Sequence, residues 1–326
     1  MTRLSPEERV LPAVGARLDS HPRLAAWILR AIRALPGRRL RPLAFRHLSQ
    51  PLVTRMRSRL VTPVSGGSRM RVDMRDVSGR MLATSGVWEP HVTALFFLLL
   101  GAGEVCVDIG ANVGYFSLLA SKVVGPRGRV YAVEPAPDTF ETLVANLELN
   151  HADNVVPEAV AAGAVEREAV LYDPRPGSNI GAATLRLRPE PSTGGARPPT
   201  TVPVEPFDQL VPPEDRRRVR LVKIDVEGAE ADVLEGLEPV YEEARPDVIV
   251  EVHADLDPAA PASVASFCER HELNAYRIVD GHSDDREWEA THPVLEPLTT
   301  PADVAAIPEP CFDLLLAPRE RPPSDH

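Results

Sequence analysis

The stretch VCVDIGANVGYF, at Val105–Phe116, constrains the fold of this chain more than any other part of the sequence. It begins as a nearly continuous apolar run typical of a buried strand, breaks at Gly110, and continues after Gly114 in residues that favour a helix. Glycines let the backbone approach a ligand closely, and the first turn of a helix offers free N–H groups. We therefore predict a strand–turn–helix unit that holds a ligand at its turn.

From this point the chain alternates between strand and helix patterns. Several strands are almost continuously apolar, which is typical of a parallel sheet covered on both faces. The sequence therefore predicts an α/β fold with a doubly wound, Rossmann-like, mostly parallel sheet. The predicted strands are Glu104–Ile109, Arg129–Glu134, Asn154–Val160, Arg220–Asp225 and Asp247–His253, and the predicted helices are Tyr115–Val123, Pro137–Asn150, Ala229–Gly236 and Ala262–His271.

Two strand pairs depart from this alternation. Residues 169–172 and 201–204 indicate an extra pair, separated by segments rich in proline and glycine. Residues 275–280 and 311–318 indicate two terminal strands, which we expect to be antiparallel.

The segment before the sheet is strongly basic, although the whole chain carries a net charge of -11. Pro22–Leu35 has the apolar spacing of an amphipathic helix, with Arg23, Arg30 and Arg33 together on its polar face. From His21 to Leu60 there are ten arginines and no acidic residue. We predict a helical basic arm with a lead-in segment over residues 1–85, a core domain over 86–318 and a frayed tail over 319–326. The arm either docks or dimerises, or it binds an anionic substrate, a carrier or a membrane surface.

Composition narrows the class of protein. The three cysteines are scattered and match no disulfide framework or zinc spacing, which favours a reducing cytoplasm. No signal peptide is visible, and the run Ala94–Leu100 is far shorter than the ~20 residues that span a bilayer. We expect a soluble cytoplasmic protein, and the acidic body argues against nucleic acid as a specific partner.

The residues around the turn indicate a cationic nucleoside ligand. Glu134 ends the second predicted strand, 24 residues beyond Gly110, where an acid accepts hydrogen bonds from ribose hydroxyls. A dinucleotide fingerprint would place glycine where Asn112 stands, and Asp108 would oppose a phosphate. S-adenosylmethionine carries an ammonium, a sulfonium and a ribose but no phosphate, so it fits better than NAD. A binding protein without catalytic activity stays open.

Five stretches resemble the FkbM family of S-adenosylmethionine-dependent methyltransferases, which have the class I methyltransferase fold. They are WEPHVT, VDIGANVGYFSLLAS, YAVEPAPDTFETLVANLELN, VPVEPFDQLV and VKIDVEGAEADVLEGL, in the family's order, over about Gly86–His253. The resemblance implies O-methylation of a hydroxyl on a sugar, a polyketide or another natural product of specialised metabolism.

The resemblance also implies a set of cofactor-binding residues. The methionine end would be lined by Asp108, Gly110, Asn112 and Gly114, the ribose would bind Glu134, the adenine would stack near Ala159 and Val160, and Glu89, Thr93 and Ser117 would reach the methionine carboxylate or ammonium. For Ser117, a hydrogen bond to its own helix backbone is the alternative.

Methyl transfer to a hydroxyl needs an aligned acceptor and a base that removes its proton. Candidates follow two predicted strands that are neighbours in a doubly wound sheet: Asp225 and Glu227 after one, and Glu251 and His253, two positions apart, at the end of the next. We also predict Asp225 as a contact of the cofactor or the acceptor. We predict His253 as the base, because a neutral imidazole titrates near pH 7, with the acids beside it. Asp225, Glu251 and His253 could also hold a divalent metal ion, but no metal ligand is assigned. We expect Glu230 to be a first-turn helix acid and Lys223 to be a buried partner of a carboxylate.

The acceptor is the least constrained feature. Its expected surroundings are the basic arm, the turn around Asn179 and the loop with His282 and Trp288. The sequence lacks an Asp/Asn-Pro-Pro-Tyr/Phe motif, which lowers methylation of amino groups in bases or glutamine. A small-molecule hydroxyl is therefore the predicted acceptor; a peptide, RNA or anionic glycan acceptor and a homodimer stay open.

Overall fold

The computed structural model describes residues 13–34, 44–172, 185, 199–279 and 293–320 of the 326-residue chain. The strands are β1 (Arg59–Pro63), β2 (Arg69–Asp73), β3 (Val105–Ile109), β4 (Arg129–Val133), β5 (Val155–Glu158), β6 (Ala161–Gly163), β7 (Arg167–Leu171), β8 (Thr200–Pro206), β9 (Val219–Ile224), β10 (Asp247–His253), β11 (Leu273–Val279), β12 (Val294–Pro297) and β13 (Cys311–Pro318). The α-helices are α1 (Pro22–Arg33), α2 (Gln50–Val53), α3 (Val77–Thr84), α4 (Pro90–Leu99), α5 (Tyr115–Val124), α6 (Pro137–Asn150), α7 (Phe207–Leu210), α8 (Pro213–Arg216), α9 (Glu230–Ala244), α10 (Ala260–His271) and α11 (Ala302–Ala305), with a π-helical turn at Phe45–Ser49 and a 3₁₀ turn at Ser65–Gly67. No helix within the described ranges is long and apolar enough to cross a membrane.

The centre of the fold is an eight-stranded sheet in the order β12-β11-β13-β10-β9-β3-β4-β5. The strands β10, β9, β3, β4 and β5 are mutually parallel, as predicted, and each lies within two residues of its predicted bounds. The prediction of a doubly wound α/β fold of class I methyltransferase type is confirmed.

Helices cover both faces of this sheet because its strands alternate between two apolar layers. On β3, Cys106 packs in the cluster that contains Leu118 of α5 and Leu143 of α6. Its neighbour Val107 packs in the opposite cluster, with Leu237 of α9. Since successive side chains of a strand point to opposite faces, burial of both sets requires a helical layer on each side.

The last strand, β13, inserts between β10 and β11 and runs antiparallel to both. The predicted antiparallel arrangement of the two terminal strands is therefore present. The register pairs His253 with Cys311 and Glu251 with Asp313. The end of the chain thus contributes side chains to the edge of the sheet where β9 and β10 terminate.

The extra strand pair is also present, as β7 against β8, with β6 as a third member on the other side of β8. Helix α9 is longer than predicted, since it continues through Gly236 to Ala244. A Cβ at Gly236 would lie 2.1 Å from the Gly163 carbonyl oxygen. This glycine therefore allows α9 to approach β6 closely and does not end the helix.

The basic arm contains the predicted helix, α1, but it also contains the hairpin β1–β2, which the sequence analysis did not predict. Arg33, predicted on the polar face of α1 with Arg23 and Arg30, is half-buried, whereas the other two are exposed. Its guanidinium Nη1 donates to the Pro63 carbonyl (2.9 Å) and to Thr62 Oγ1 (3.2 Å), which fastens α1 to β1.

Two asparagines of α6 join the hairpin to the sheet domain. Asn146 Oδ1 accepts the Arg71 N–H (2.7 Å), and Asn150 Oδ1 accepts the Arg69 N–H (2.8 Å), so side-chain amides satisfy the free edge of β2. Leu29 of α1 lies in the same apolar cluster as α5 and α6. The division of the chain at residue 85 stays a prediction.

Candidate active site

A cleft opens at the carboxyl edge of the sheet, where β3, β4 and β9 end. Its lining is formed by Ile109, Gly110, Asn112, Val133, Glu134, Pro135, Ala161, Ala162, Leu171, Leu185, Asp225, Val226 and Ala229. In an open α/β sheet this edge is where ligands bind. Four of the predicted cofactor residues, Gly110, Asn112, Glu134 and Asp225, meet in this lining.

The turn after β3 is held by its neighbours on both sides. The N–H groups of Gly110 and Ala111 both donate to the Val133 carbonyl (2.9 Å each), and the Asp225 N–H donates to the Ile109 carbonyl (3.0 Å). Gly110 has φ +81°, and a Cβ there would lie 1.7 Å from the Asp225 backbone oxygen. Glycine is therefore required here by the close approach of β9 as well as by the backbone conformation.

Glu134 occupies the position predicted for ribose binding. Its two carboxylate oxygens accept the N–H groups of Asn112 and Ala136, each at 2.9 Å, which leaves each oxygen a further lone pair. Burial raises the pKa of Glu134 to about 7, although the two backbone donors favour the charged form. The carboxylate is therefore fixed in place and able to accept hydroxyl groups from the cleft.

Asp108 and Ser117 form a buried pair beside the turn. Ser117 Oγ donates to Asp108 Oδ2 at 2.6 Å, so the alternative of a bond to its own helix backbone is not what is observed. Asp108 Oδ1 is buried without a hydrogen-bond partner among the described residues. A buried acceptor left in this state suits a cationic ligand group.

Two other residues predicted to contact the cofactor, Thr93 and Gly114, make contacts within the protein. Thr93 Oγ1 donates to the Trp88 carbonyl (2.7 Å) and lies 3.0 Å from the Tyr115 hydroxyl, so its hydrogen bonds are made within the protein. Gly114 has φ +91°, and a Cβ there would meet Leu143 Cδ1 at 2.6 Å, so this glycine permits the packing of α6 on the turn.

The predicted adenine wall needs a correction. Strand β5 ends at Glu158, two residues earlier than predicted, and Ala159 is exposed while Val160 packs in the core. The cleft is lined by Ala161 and Ala162 of β6 instead. The apolar wall is therefore displaced by two residues along the chain, because the chain bends out of the large sheet to join the small one.

A cluster of acids adjoins this cleft. Glu89, Asp225 and Glu251 each bring a carboxylate oxygen within 4.8 Å of the other two. The buried Lys223 ammonium lies 2.8 Å from Asp225 Oδ2, as expected for a partner of a carboxylate. Burial acts against the charged form of Asp225, but Lys223 outweighs it and lowers the pKa of Asp225. Burial raises the pKa of Glu89 to about 8, and burial together with the charges of Asp225 and Asp313 does the same for Glu251.

His253 is enclosed by acids. Its Nδ1 lies 3.1 Å from Glu230 Oε1, and its Nε2 lies 3.5 Å from Glu227 Oε2 and 3.8 Å from Glu251 Oε1. Burial acts against the imidazolium, but hydrogen bonds to Cys311 and Glu230 and the charge of Glu251 raise the pKa of His253 to about 12. These surroundings favour a charged His253, which has no lone pair free to accept a proton.

Glu230 lies in the first turn of α9, as predicted, but it does more than complement the helix dipole. Its carboxylate is fully buried, accepts the Gly228 N–H at 2.8 Å and orients His253. The pairing joins the turn after β9 to the end of β10. Nothing local in the sequence indicates this contact, because the two residues meet only through the parallel pairing of β9 and β10.

The acid cluster contributes Asp225 to the first cleft and Glu89 to a second cleft of about 400 Å³. Its lining is formed by Glu89, Pro90, His91, Val92, Arg277, Ile278, Val279, Cys311, Phe312 and Asp313. The sequence analysis found neither Cys311 nor Arg277, because only the insertion of β13 beside β10 brings them to this edge. The predicted acceptor residues Asn179, His282 and Trp288 lie outside the described residues.

Two groups of side chains could hold a metal ion. One is Glu89, Asp225 and Glu251, whose oxygens suit a hard cation, and the other is Glu251, His253 and Cys311, whose mixed donors suit a softer one. The metal site that the sequence raised for Asp225, Glu251 and His253 stays untested.

The fold and this edge of the sheet define a class of protein: a doubly wound α/β domain with an acid-lined cleft for a nucleoside-type cofactor of positive charge. The residues fit S-adenosylmethionine, because Glu134 is placed for a ribose and Asp108 Oδ1 offers a buried acceptor for a cationic group.

Comparison with known proteins identifies the family. The model of the methyltransferase FkbM domain matches residues 108–276, just over half of the chain. The chain belongs to the FkbM methyltransferase family. The family prediction is confirmed, and with it the prediction of an S-adenosylmethionine-dependent methyltransferase domain.

Individual relatives are more distant. Methyltransferase 1 of Beauveria bassiana is 30% identical over 158 residues, which are 45% of this chain and 63% of the relative. Hexuronic acid methyltransferase AglP of Haloferax volcanii is 28% identical over 204 residues, 62% of this chain and 78% of the relative. The crystal structure of methyltransferase FkbM from Methylobacillus flagellatus KT is 16% identical, with a TM-score of 0.41, over 73% of this chain and 52% of that one. This chain thus spans less than two thirds of Methyltransferase 1 and about half of the solved chain.

Proposed function

We propose that this protein transfers a methyl group from S-adenosylmethionine to a hydroxyl of a small molecule, with a sugar as the preferred class of acceptor. The name of one relative, a hexuronic acid methyltransferase, supports a sugar. The natural-product context and the reducing cytoplasm expected from the sequence belong to the same proposal. All three cysteines are free, which is compatible with that compartment.

One observation carries the proposal: the cluster of Glu89, Asp225 and Glu251 contributes Asp225 to the first cleft and Glu89 to the second. The first cleft has the residues for the cofactor, and the second offers charged and polar groups of both signs, among them Arg277 and Asp313. Hydroxyl-rich acceptors need such donors and acceptors for orientation. The cluster between the clefts is therefore the place where an acceptor oxygen would lose its proton.

When bound, S-adenosylmethionine supplies an electrophilic methyl group on a sulfonium. An acceptor hydroxyl would lose its proton to a base of the protein. Among the three predicted catalytic residues we assign this base to Glu251. It reaches both Asp225 and His253, and its pKa of about 8 suits proton transfer near neutral pH.

The other two residues then have supporting roles. Asp225, held by Lys223, keeps a negative charge in the lining of the first cleft, which would suit a cationic group of the cofactor. His253, as an imidazolium held by Glu230, stabilises the charged form of Glu251. The sequence-based assignment of His253 as the base remains the competing prediction.

A test of the reaction uses methyl-labelled S-adenosylmethionine with a panel of acceptors: a glucuronide, a neutral glucoside, a phenol and a short peptide. Mass spectrometry should show the label on a sugar hydroxyl. Transfer of the label to the peptide alone would refute the proposal. Cofactor binding in calorimetry, with no transfer of the label either to an acceptor of the panel or to RNA, would refute it as well.

The base is tested by variants once an acceptor is known. Glu251→Gln should lower kcat by about 100- to 10,000-fold with cofactor affinity retained, whereas His253→Gln should lower it less. The kcat of the wild type should rise with pH through about 8, because Glu251 is deprotonated above its pKa. Glu148→Gln, an exposed position on α6, is the control. A larger loss from His253→Gln than from Glu251→Gln would restore His253 as the base.

A further inference from the structure

Helix α1 has an apolar strip on the side that faces away from the core. Ala25 and Leu29 are buried on one face, whereas Trp27 is 66% exposed and Leu24 is 47% exposed on another. Trp27 is the most exposed large hydrophobic residue in the described part of the chain. The spacing of Leu24, Trp27 and the exposed Ala31 is i, i+3, i+7, so they form one continuous strip.

Two arginines flank this strip. Arg23 and Arg30 are both exposed and lie seven residues apart, next to Trp27 on the helix surface. Neither forms an ion pair with a residue that the structure describes. Their neighbour Arg33 is instead committed to the hairpin through the Pro63 carbonyl.

The surface around α1 continues this charge. Among the described residues, Asp19 Oδ1 accepts the N–H groups of Arg57 and Ser58, and Asp73 pairs with both Arg59 and Arg75. Arg55 and Arg57 are further exposed arginines of the described segment that follows α1. This basic surface stands out on a protein with a net charge of -11.

We propose that the solvent-facing side of α1 docks on an anionic membrane surface. Tryptophan and leucine insert at the level of the lipid headgroups, and arginines beside them contact lipid phosphates. A planar bilayer touches only this basic side. A nucleic acid long enough to use all of these arginines would also meet the acidic remainder of the molecule. The contact is peripheral, since the described helices include none long enough to span a bilayer.

The experiment is co-sedimentation of the full chain with phosphatidylcholine vesicles that either contain or lack phosphatidylglycerol. The protein should bind the anionic vesicles, and added salt should weaken this binding. Trp27→Ala and the double change Arg23→Glu/Arg30→Glu should each weaken it by about tenfold or more. Because these side chains are exposed, the variants should keep the native circular dichroism spectrum.

Matched controls separate the surface from general hydrophobicity and charge. Val165→Ala removes another exposed apolar side chain (59% exposed), and Arg217→Glu reverses another exposed arginine. Both should bind like the wild type.

The proposal fails if the chain stays in the supernatant with anionic vesicles, or if the controls lose as much binding as the α1 variants. It also fails if the protein does not bind vesicles but has a concentration-dependent mass in sedimentation, and Trp27→Ala abolishes this dependence. That result would mean that the strip binds a second copy of the chain. Binding to RNA without binding to vesicles would likewise overturn it. None of these outcomes depends on methyl transfer.

Discussion

The substitution Gly110→Ala tests how the turn after β3 is built. Sequence reasoning assigned this glycine to ligand access, whereas the structure shows two constraints within the protein. The residue has φ +81°, and an added Cβ would lie 1.7 Å from the Asp225 backbone oxygen, a distance that no relaxation of a side chain can relieve. The β3–β9 pair must separate locally to admit the methyl group.

The magnitude follows from the two constraints. The left-handed conformation costs an L-residue about 1–2 kcal/mol, and forcing a methyl group into a packed site costs about 1–3 kcal/mol, so we expect a loss of about 2–5 kcal/mol in the free energy of unfolding. Gly103→Ala is the matched control, because Gly103 has φ +88° and a Cβ there would meet no atom within 4 Å. It should show only the conformational part, about 1–2 kcal/mol.

The assay is urea denaturation of both variants, followed by circular dichroism, with titration calorimetry for S-adenosylmethionine. Any stabilisation from a stiffer unfolded chain is common to both variants and cancels in the comparison. Gly110→Ala should lose more stability and also lose cofactor affinity, since it displaces Asp225. Equal losses of stability in the two variants would refute the steric argument.

Three further substitutions probe contacts around the site. Glu134→Ala should weaken S-adenosylmethionine binding by about 1–3 kcal/mol, and the affinity of the wild type should fall as the pH drops through about 7, because Glu134 then takes up a proton. If calorimetry shows the same pH dependence in the variant, Glu134 does not have this role. Lys223→Met should destabilise the fold by about 3–5 kcal/mol at pH 8, because the Lys223 ammonium is charged there and the Asp225 carboxylate loses this partner. Denaturation at pH 5 should show a smaller loss of stability, because carboxyls of the cluster then gain protons, and equal losses at the two pH values would contradict the role of the charge cluster. Asn146→Ala should lower the free energy of unfolding by about 1–3 kcal/mol, because backbone groups of Arg71 and Val113 lose their hydrogen-bond partner, and this loss should exceed that of Asn150→Ala. A larger loss from Asn150→Ala in denaturation would contradict the proposed docking of β1–β2.

Much of the central sheet was predictable because its signals are local. Helix α6 and strand β10 have the predicted bounds, since each is a single run of the right periodicity that ends at a clear boundary. The turn after β3 was predictable for the same reason: its glycines, its acid and the start of the helix that follows lie within twelve consecutive residues.

The failures share a different cause. Gly236 lies inside helix α9 because a side chain there would collide with the backbone of β6. The sequence of the helix does not indicate this contact, so the glycine was interpreted as the end of the helix. Ala161 and Ala162 line the cleft, rather than Ala159 and Val160, because the chain leaves the large sheet early to join β8. In both cases a contact with a distant segment overrides the local pattern.

The amino-acid sequence was sufficient to predict the class of fold, the family and the edge of the sheet at which four of the predicted cofactor residues gather. The other groups around His253 depend on tertiary contacts, because Glu230 reaches it from α9 and Cys311 lies opposite it on β13, whereas Glu251 lies on the same strand. The physical reason is that a pKa depends on all charges and burial within a few ångströms, whereas spacing along the chain reports only neighbours on one strand or helix. Residue types therefore indicated that a base was present, but the sheet order and the insertion of β13 decide which residue is suited to be that base.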